Sequence, residues 1–571
     1  MVHDADPLFL PGLPTARWVR SRWFKRLCLL LAAMVLIAAW FALLDYRKLF
    51  NSSEGRYAEI PREMLVSGDW ITPRLNGIKY LEKPPLQYWA TTAAYRLLEI
   101  DHWTARLWPA LTGLFGLLLT GWLGTRLFGR TAGLCAALVL TSSIYYIVFS
   151  HIATLDMGVG FFLTLALAGL LMSGTRAPHA PHARAWMMLA WAAMALAVLS
   201  KGLIGVILPV LAVLAYALIE RDWGIWRRLR LGSGLVLFVL VAAPWFVLVS
   251  IRNPEFAHFF FIEEHLRRFA TGAAHRPGPI WYFIPILSVA VLPWLGVLPA
   301  ALHSAWSAPA ADRNRQLVNP TRLLLAWSLA IFIFFSLSSS KLPGYVVPAL
   351  PPLALLIGRT LAGLDSRAVL NRIAPFALLS VGLFLLTAYW LKRSPDTVDV
   401  MLMRGLCSRW IRWAAFAAGL GLVGFLLFRK QRLIALASLA FGHLMAAQLA
   451  LGGSETLAPL NSGWALAKQL EPYLADSTPF FSVNVYNQSL TFYSGRTSTM
   501  VQHVDEMEFG LRQEPELRIA SLPEFVERWQ GLSRGVAIMR PQDFDELLQS
   551  GVPMLLIGGD RKSRLVSRSA P

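Results

Sequence analysis

The chain has 571 residues, of which 56% are apolar and 15% charged. A soluble domain carries roughly 45–50% apolar and about 25% charged residues, which excludes a soluble globular enzyme at the outset. Lys and Arg number 53 against 34 Asp and Glu, a net charge of +19, and in so apolar a chain that excess belongs at membrane surfaces rather than on nucleic acid.

In chain order, MVHDADPLFLPGLPTARWVRSRWFKR precedes the first apolar run and offers no small-residue cleavage site, so that run is expected to be a retained helix. Three scattered thiols, Cys28, Cys135 and Cys407, give neither a disulfide framework nor a cysteine metal site. A hydrocarbon core of about 30 Å needs roughly 20 mostly apolar helical residues. That rule predicts thirteen spans, at 26–45, 105–127, 131–150, 153–173, 185–200, 202–220, 231–251, 280–302, 321–338, 342–362, 373–392, 410–428 and 433–451. With the N-terminus inside, the cytoplasmic segments collect the arginines, from Arg17, Arg20 and Arg22 through Arg227, Arg228 and Arg230 to Arg429 and Arg432. The short loops opposite hold chiefly Lys201 and Lys341, and an odd number of spans puts the C-terminus outside.

Three outer segments exceed simple turns: 46–104, 252–279 and the tail from 452. In the first, RYAEIPREMLV and PPLQYWATTAAYRLL have the pattern of interfacial amphipathic helices. In the tail, FFSVNVY, GVAIM and PMLLIG read as strands, and LPEFVERWQGL and PQDFDELLQ as helices opened by Pro. The expected organisation is therefore a polytopic α-helical membrane domain over 1–451 and a small α/β domain over 452–571. From Leu451 onward 11 Lys and Arg face 14 Asp and Glu, so the tail is −3 and the membrane region +22. A basic nucleic-acid-binding tail is thereby disfavoured.

Four clusters offer chemistry. The first outer loop carries Ser53, Glu54, Arg56, Tyr57 and Glu59, then Asp69, and then Tyr80, Glu82 and Lys83; carboxylates and cations at a membrane surface suit an anionic headgroup, although a solvated loop with local ion pairs has the same composition. Asp156 opens an apolar helix at its outer mouth, where an ionisable group is costly and suggests function, and where Asp is also a good N-cap. The loop 252–279 contributes Glu263, Glu264, His265, Arg267, Arg268 and His275; a divalent ion would find a zinc- or manganese-type pair in Glu82 and His265. Lys341 and Tyr345 could reach a lipid phosphate or serve as interfacial anchors.

These segments, SEGRYAEIPREMLVSGDWITPRLNGIKYLEKPPLQYW, the start at Asp156, LSKGLIGVILP, APWFV, EEHLRRF to PGPIWYFIP and SKLPGYVVPALPPLALLIG, occur in the order found in bacterial 4-amino-4-deoxy-L-arabinose lipid A transferases, which the chain resembles nearly throughout. That family belongs to the protein O-mannosyltransferase-like GT-C superfamily. The resemblance implies a GT-C fold in the bacterial inner membrane, with the active site and C-terminal domain on the periplasmic side. It also implies a glycosyltransferase with an undecaprenyl-phosphate-linked aminoarabinose donor, a lipid A phosphate acceptor and a role in polymyxin resistance. No organic cofactor is implied, membrane lipids are the other partners, and a monomer is expected. On the residues, it implies a catalytic set of Asp156, Glu54 and Lys83, with Arg56, Tyr57, Glu59, Arg267, Arg268, Lys341 and Tyr345 binding substrate. The family's first-loop motif begins with an Asp-Glu pair; this chain has Ser53 before Glu54, so the first acid is missing and Glu54 is its substitute. Competing readings are a related transferase acting on a protein or another glycan, which would need a base, and a transporter, which the gathering of polar residues at one face disfavours.

Overall fold

The computed structural model describes residues 22–175, 182–267, 277–309, 317–475 and 477–570. Among them, nine helices are long and apolar enough to cross a membrane, from Leu107–Phe128 to Arg432–Asn461. Two further expected spans are bent. The run 131–150 breaks into Arg130–Ser142 and Ile144–Ser150 at 68°, and 280–302 into Phe283–Ala290 and Trp294–Trp306 at 109°. The first break has a local cause: Ser143 is extended, at ψ 110°, and its side chain accepts from the Tyr146 N–H to restart the helix. Counting each pair once gives eleven spans rather than thirteen. The other two expected spans are the shorter apolar helices Leu30–Phe41 and Ile204–Glu220. Apolar run length does not register a kink, which is why the sequence overcounts straight spans.

Burial separates the helices by role. Asp156–Gly174 is 78% buried over its most apolar window and stands at the centre, whereas Leu231–Arg252 and Ser366–Arg393 are 22% buried. The latter two present Leu235, Val239, Leu240, Leu378 and Leu385 outward, as lipid-facing helices must. Cys135 and Cys407 are buried free thiols.

On the outer side, the first loop folds into the helices Ser53–Ser67 and Leu86–Leu97, joined through a hairpin of β1 (Arg74–Leu75) and β2 (Ile78–Lys79). Asn76 and Gly77 both have positive φ, 57° and 75°, the geometry that an Asn-Gly turn supplies. The two helices correspond to the expected amphipathic segments, but they are covered by the tail as well as by the membrane helices.

The tail forms a six-stranded sheet of β3 (Phe480–Val483), β4 (Thr499–Val501), β5 (Arg518–Ile519), β6 (Val536–Met539), β7 (Leu555–Gly559) and β8 (Arg564–Ser567), in the order 5-4-3-6-8-7. β5, β4, β3 and β6 run parallel, while β8 and β7 are antiparallel. Every residue of β3 and β6 is buried, as central strands covered on both faces require. One face packs Phe481, Val483, Ala537 and Met539 under Phe525 and Trp529. The other packs Phe480, Val536 and Ile538 under Leu466, Leu470 and Leu490. The expected strands and helices of the tail are present; β4, β5 and β8 are too short or too weakly alternating to stand out in the sequence.

The tail is docked on the first loop at close range. A Cβ on Gly55 would lie 2.5 Å from the backbone N of Ser489, so only glycine lets the helix Gln488–Ser494 approach there. Asn76 exchanges two 2.7 Å hydrogen bonds with the Ser498 backbone, and Arg74 grips Glu514 with Nη2 2.9 Å from Oε1.

Candidate active site

Helix ends and the hairpin set the stage. Ser53–Ser67 presents Arg56 and Tyr57 in its first turns, and the strand exit from the hairpin carries Tyr80, Glu82 and Lys83. Asp156 is the first residue of its helix, where the macrodipole favours an anion, and Lys201 is the last of Ala183–Lys201, where it favours a cation. Tyr345 lies in the turn Pro343–Ala349.

These residues form two connected groups. In the first, Arg56 pairs with Glu506 of the tail and donates from Nη1 to the Tyr80 hydroxyl at 3.2 Å. Tyr80 donates in turn to Glu82 Oε2 at 2.9 Å, and the Lys83 ammonium, 3.8 Å from that carboxylate, is bonded to Glu264. In the second, the Lys201 ammonium is bonded to Asp156 and sits 5.2 Å above the Tyr345 ring. Gly344 allows this closeness, since a Cβ there would lie 2.7 Å from Asp156 Cγ. Tyr57 links the groups: burial pushes its phenol up, Arg56 opposes, and the charges of Glu82, Asp156 and Glu506 all reach it. The seven charged side chains are 10–18% exposed, so each is largely dehydrated yet still open to a ligand. The cluster thus holds three cations, each paired with a carboxylate, of the type that also bonds phosphate oxygens.

Other residues expected to contact substrate have internal partners. Glu54 is buried and bound by both arms of Arg106, Nε to Oε1 at 2.8 Å and Nη2 to Oε2 at 3.0 Å, and it accepts from the Ala153 N–H at 3.1 Å. Burial alone would raise its carboxyl, but Arg106 and then Arg47 hold it down at about 2. Glu59 is fully buried against Arg62, at 2.6 and 2.7 Å. Lys341 is buried with its ammonium directed at the carbonyls of Ser336 and Ser338, 2.9 and 2.8 Å away, at the end of the helix Pro320–Leu337. The side chains of His265 and Arg267, and Arg268 entirely, lie outside the described residues.

Sequence reasoning named Tyr80, Glu264 and Lys201 within their polar segments without giving them a role, and it did not name Glu506 or Arg106. A lone lysine ending an apolar helix and an arginine opening one were readable signals. Glu506 had none, because nothing local distinguishes it from the other acids of the tail. As for a metal, the one group among the described residues that could hold an ion is Asp45, Asp101 and His102, apart from the charges above. Its two carboxylates and imidazole are a chemically suitable donor set, although His102 currently turns its two ring nitrogens to Asp101 and Asp45.

Residues 466–568 match the family model described as aminoarabinose transferase C-terminal domain, and residues 23–260 match dolichyl-phosphate-mannose-protein mannosyltransferase. The undecaprenyl phosphate-alpha-4-amino-4-deoxy-L-arabinose arabinosyl transferase of Erwinia tasmaniensis is 33% identical over 362 residues, 61% of this chain and 63% of that protein. The protein of the same description from Pectobacterium atrosepticum is 38% identical over 344 residues, 58% of each chain. The alignments thus span a little under two thirds of these relatives' length. The crystal structure of ArnT from Cupriavidus metallidurans bound to undecaprenyl phosphate is similar at a TM-score of 0.89 and 35% identity, covering 95% of this chain and 98% of that one.

Proposed function

The chain belongs to the aminoarabinose transferase (ArnT) family, a family of multi-pass membrane proteins, and from that premise we propose that it moves 4-amino-4-deoxy-L-arabinose from undecaprenyl phosphate to a phosphate of lipid A. The reaction takes place at the periplasmic face of the bacterial inner membrane, and the added amine lowers the negative charge of lipid A and so confers polymyxin resistance. The observation that carries this reading is the trio of cation–carboxylate pairs, Lys83–Glu264, Arg56–Glu506 and Lys201–Asp156, gathered at one end of the helices.

The chemistry needs little base. A phosphate monoester has its second pKa near 6, so the acceptor arrives with an ionised oxygen. That oxygen attacks the anomeric carbon, the bond from that carbon to the undecaprenyl phosphate oxygen breaks, and the electron pair leaves on the lipid phosphate. The protein must hold two anions together and stabilise the departing charge. Lys83 and Arg56 do the latter after release from Glu264 and Glu506. Asp156, kept in place by Lys201 and Gly344, orients the acceptor or the sugar, and Tyr345 supports Lys201. Ser53 in the first-acid position is compatible with an acceptor that needs no deprotonation. Glu54, Glu59 and Lys341 take positioning roles rather than substrate contacts. Zinc or manganese held by Glu82, beside Lys83, with His265 would add Lewis-acid polarisation, whereas an ion held by Asp45, Asp101 and His102 would lie apart from the reacting groups and brace the loop instead.

The test is purified protein in liposomes with undecaprenyl phosphate-linked aminoarabinose and lipid A. Mass spectrometry should find one sugar added to a lipid A phosphate; unmodified lipid A alongside a modified protein or glycan acceptor would overturn the acceptor assignment.

A further inference from the structure

Of the three carboxylates that neutralise the cations, Glu506 is the one delivered by the C-terminal domain, from the turn Asp505–Met507. Docking of that domain does not depend on it, because Asn76 with Ser498, Arg74 with Glu514 and Gly55 against Ser489 already fasten the seam. Nor is its position set by Arg56 alone: Gln488 Nε2 donates to Glu506 Oε1 at 2.6 Å, and the other end of the Gln488 amide accepts from the Ser52 N–H at 3.2 Å. Beside it the partly buried ring of Tyr57 lies 5.9 Å from the Arg56 guanidinium carbon, a surface of the kind on which a sugar ring packs, while the buried ring of Tyr80 backs Arg56 from 5.7 Å.

The donor named in the proposed function is a zwitterion, with a phosphodiester anion at one end of the sugar and an ammonium at the other. The Arg56–Glu506 pair is a zwitterion of the complementary sense. Binding can then exchange one internal ion pair for two intermolecular ones, phosphate on the guanidinium and ammonium on the carboxylate, with no net charge stranded. A donor with a neutral sugar would take Arg56 from Glu506 and offer no cation in exchange, so one ion pair of a largely dehydrated carboxylate is lost with nothing gained in return, which is costly.

We propose that Glu506 is a specificity-determining residue that recognises the ammonium group of the transferred sugar. The inference rests on the reading of the donor as an aminosugar lipid, and it is independent of which acceptor is used.

The experiment measures equilibrium binding to the purified full-length protein in nanodiscs. The ligands are undecaprenyl phosphate-linked 4-amino-4-deoxyarabinose, its N-acetyl derivative, in which the charge is removed, and undecaprenyl phosphate itself. The wild type should prefer the free amine by roughly a hundredfold, the order that follows from the desolvation penalty of a buried polar group that loses its partner. Glu506→Gln should erase that preference and bind undecaprenyl phosphate more tightly than the wild type, because Arg56 no longer has to be withdrawn from a carboxylate, and Glu506→Asp should keep most of the preference. Equal binding of both sugar donors by the wild type overturns the inference, as does an equal loss for all three ligands in Glu506→Gln with Glu506→Asp behaving like it. Selective donor binding without transfer to lipid A would instead uphold Glu506 and remove the acceptor reading.

Discussion

Glu54 and Arg106 meet fork to fork in the interior, both partners nearly inaccessible, and the remaining Arg106 donors reach the carbonyls of Leu44, Arg47 and Lys48. One ion pair thus ties the chain leaving the first helix to the start of the next span and to the loop before Asp156. Removing one partner strands the other charge, so Glu54→Gln or Arg106→Met should cost about 3–5 kcal/mol of stability. Thermal unfolding of the purified variants in detergent would measure it; an unchanged midpoint would refute the clamp.

Lys83 and Asp156 stand on the opposite footing, since the proposed mechanism has their partners Glu264 and Lys201 give way to substrate. Lys83→Ala and Asp156→Ala should each lower transfer by at least roughly 100-fold, the scale for removing a charge-stabilising group, with unfolding midpoints close to wild type. Transfer at near wild-type rate by either variant would remove that residue from the mechanism.

Lys341 should behave as a helix-terminating cation. Lys341→Met withdraws an ammonium from the Ser336 and Ser338 carbonyls, leaving them without a donor at a cost of about 1–3 kcal/mol. The expected result is a lower unfolding midpoint with the KM for donor unchanged. A raised KM at unchanged stability would return Lys341 to the substrate.

The seam between the first loop and the tail should respond to pH. Glu63 accepts from the backbone N–H groups of Asn76 and Gly77, and burial, with Glu59 adding to it, pushes its carboxyl up to about 8 from an ordinary 4.5. A raised carboxyl stabilises the fold in its protonated form. Its contribution is therefore full below about 4.5, declines as the pH rises and is gone above about 8. Glu54, lowered to about 2, has the reverse sign: its contribution is full above about 4.5 and is lost as the pH falls through 2. Hydrogen exchange over 74–79, corrected for the intrinsic rate, should show opening that increases from pH 5 to 8.5, and Glu63→Gln should flatten that trend.

Several of these assignments separate what the sequence displays from what it conceals. Membrane spans follow from run length and charge asymmetry, both local properties, and the tail's strands and helices follow from alternation and Pro starts. Arg56, Lys83, Asp156 and Tyr345 were reachable because their motifs stand in a recognisable order. Lys341 and Glu59 have the same residue types and loop positions as Lys83 and Glu82, and only their neighbours, backbone carbonyls for one and Arg62 for the other, distinguish them.

The sequence by itself therefore determined a polytopic membrane protein with its polar residues collected at one face and an α/β tail beyond the last span. The tertiary structure decided which partner each charge has and how deeply the pair is buried. Lys201 finds Asp156 across 45 residues, Lys83 finds Glu264 across 181, and Arg56 is neutralised by a glutamate from the other domain. The reason is physical. The preference of a dehydrated charge is set by the donors and acceptors that folding brings within about 3 Å, and separation along the chain carries no information about them.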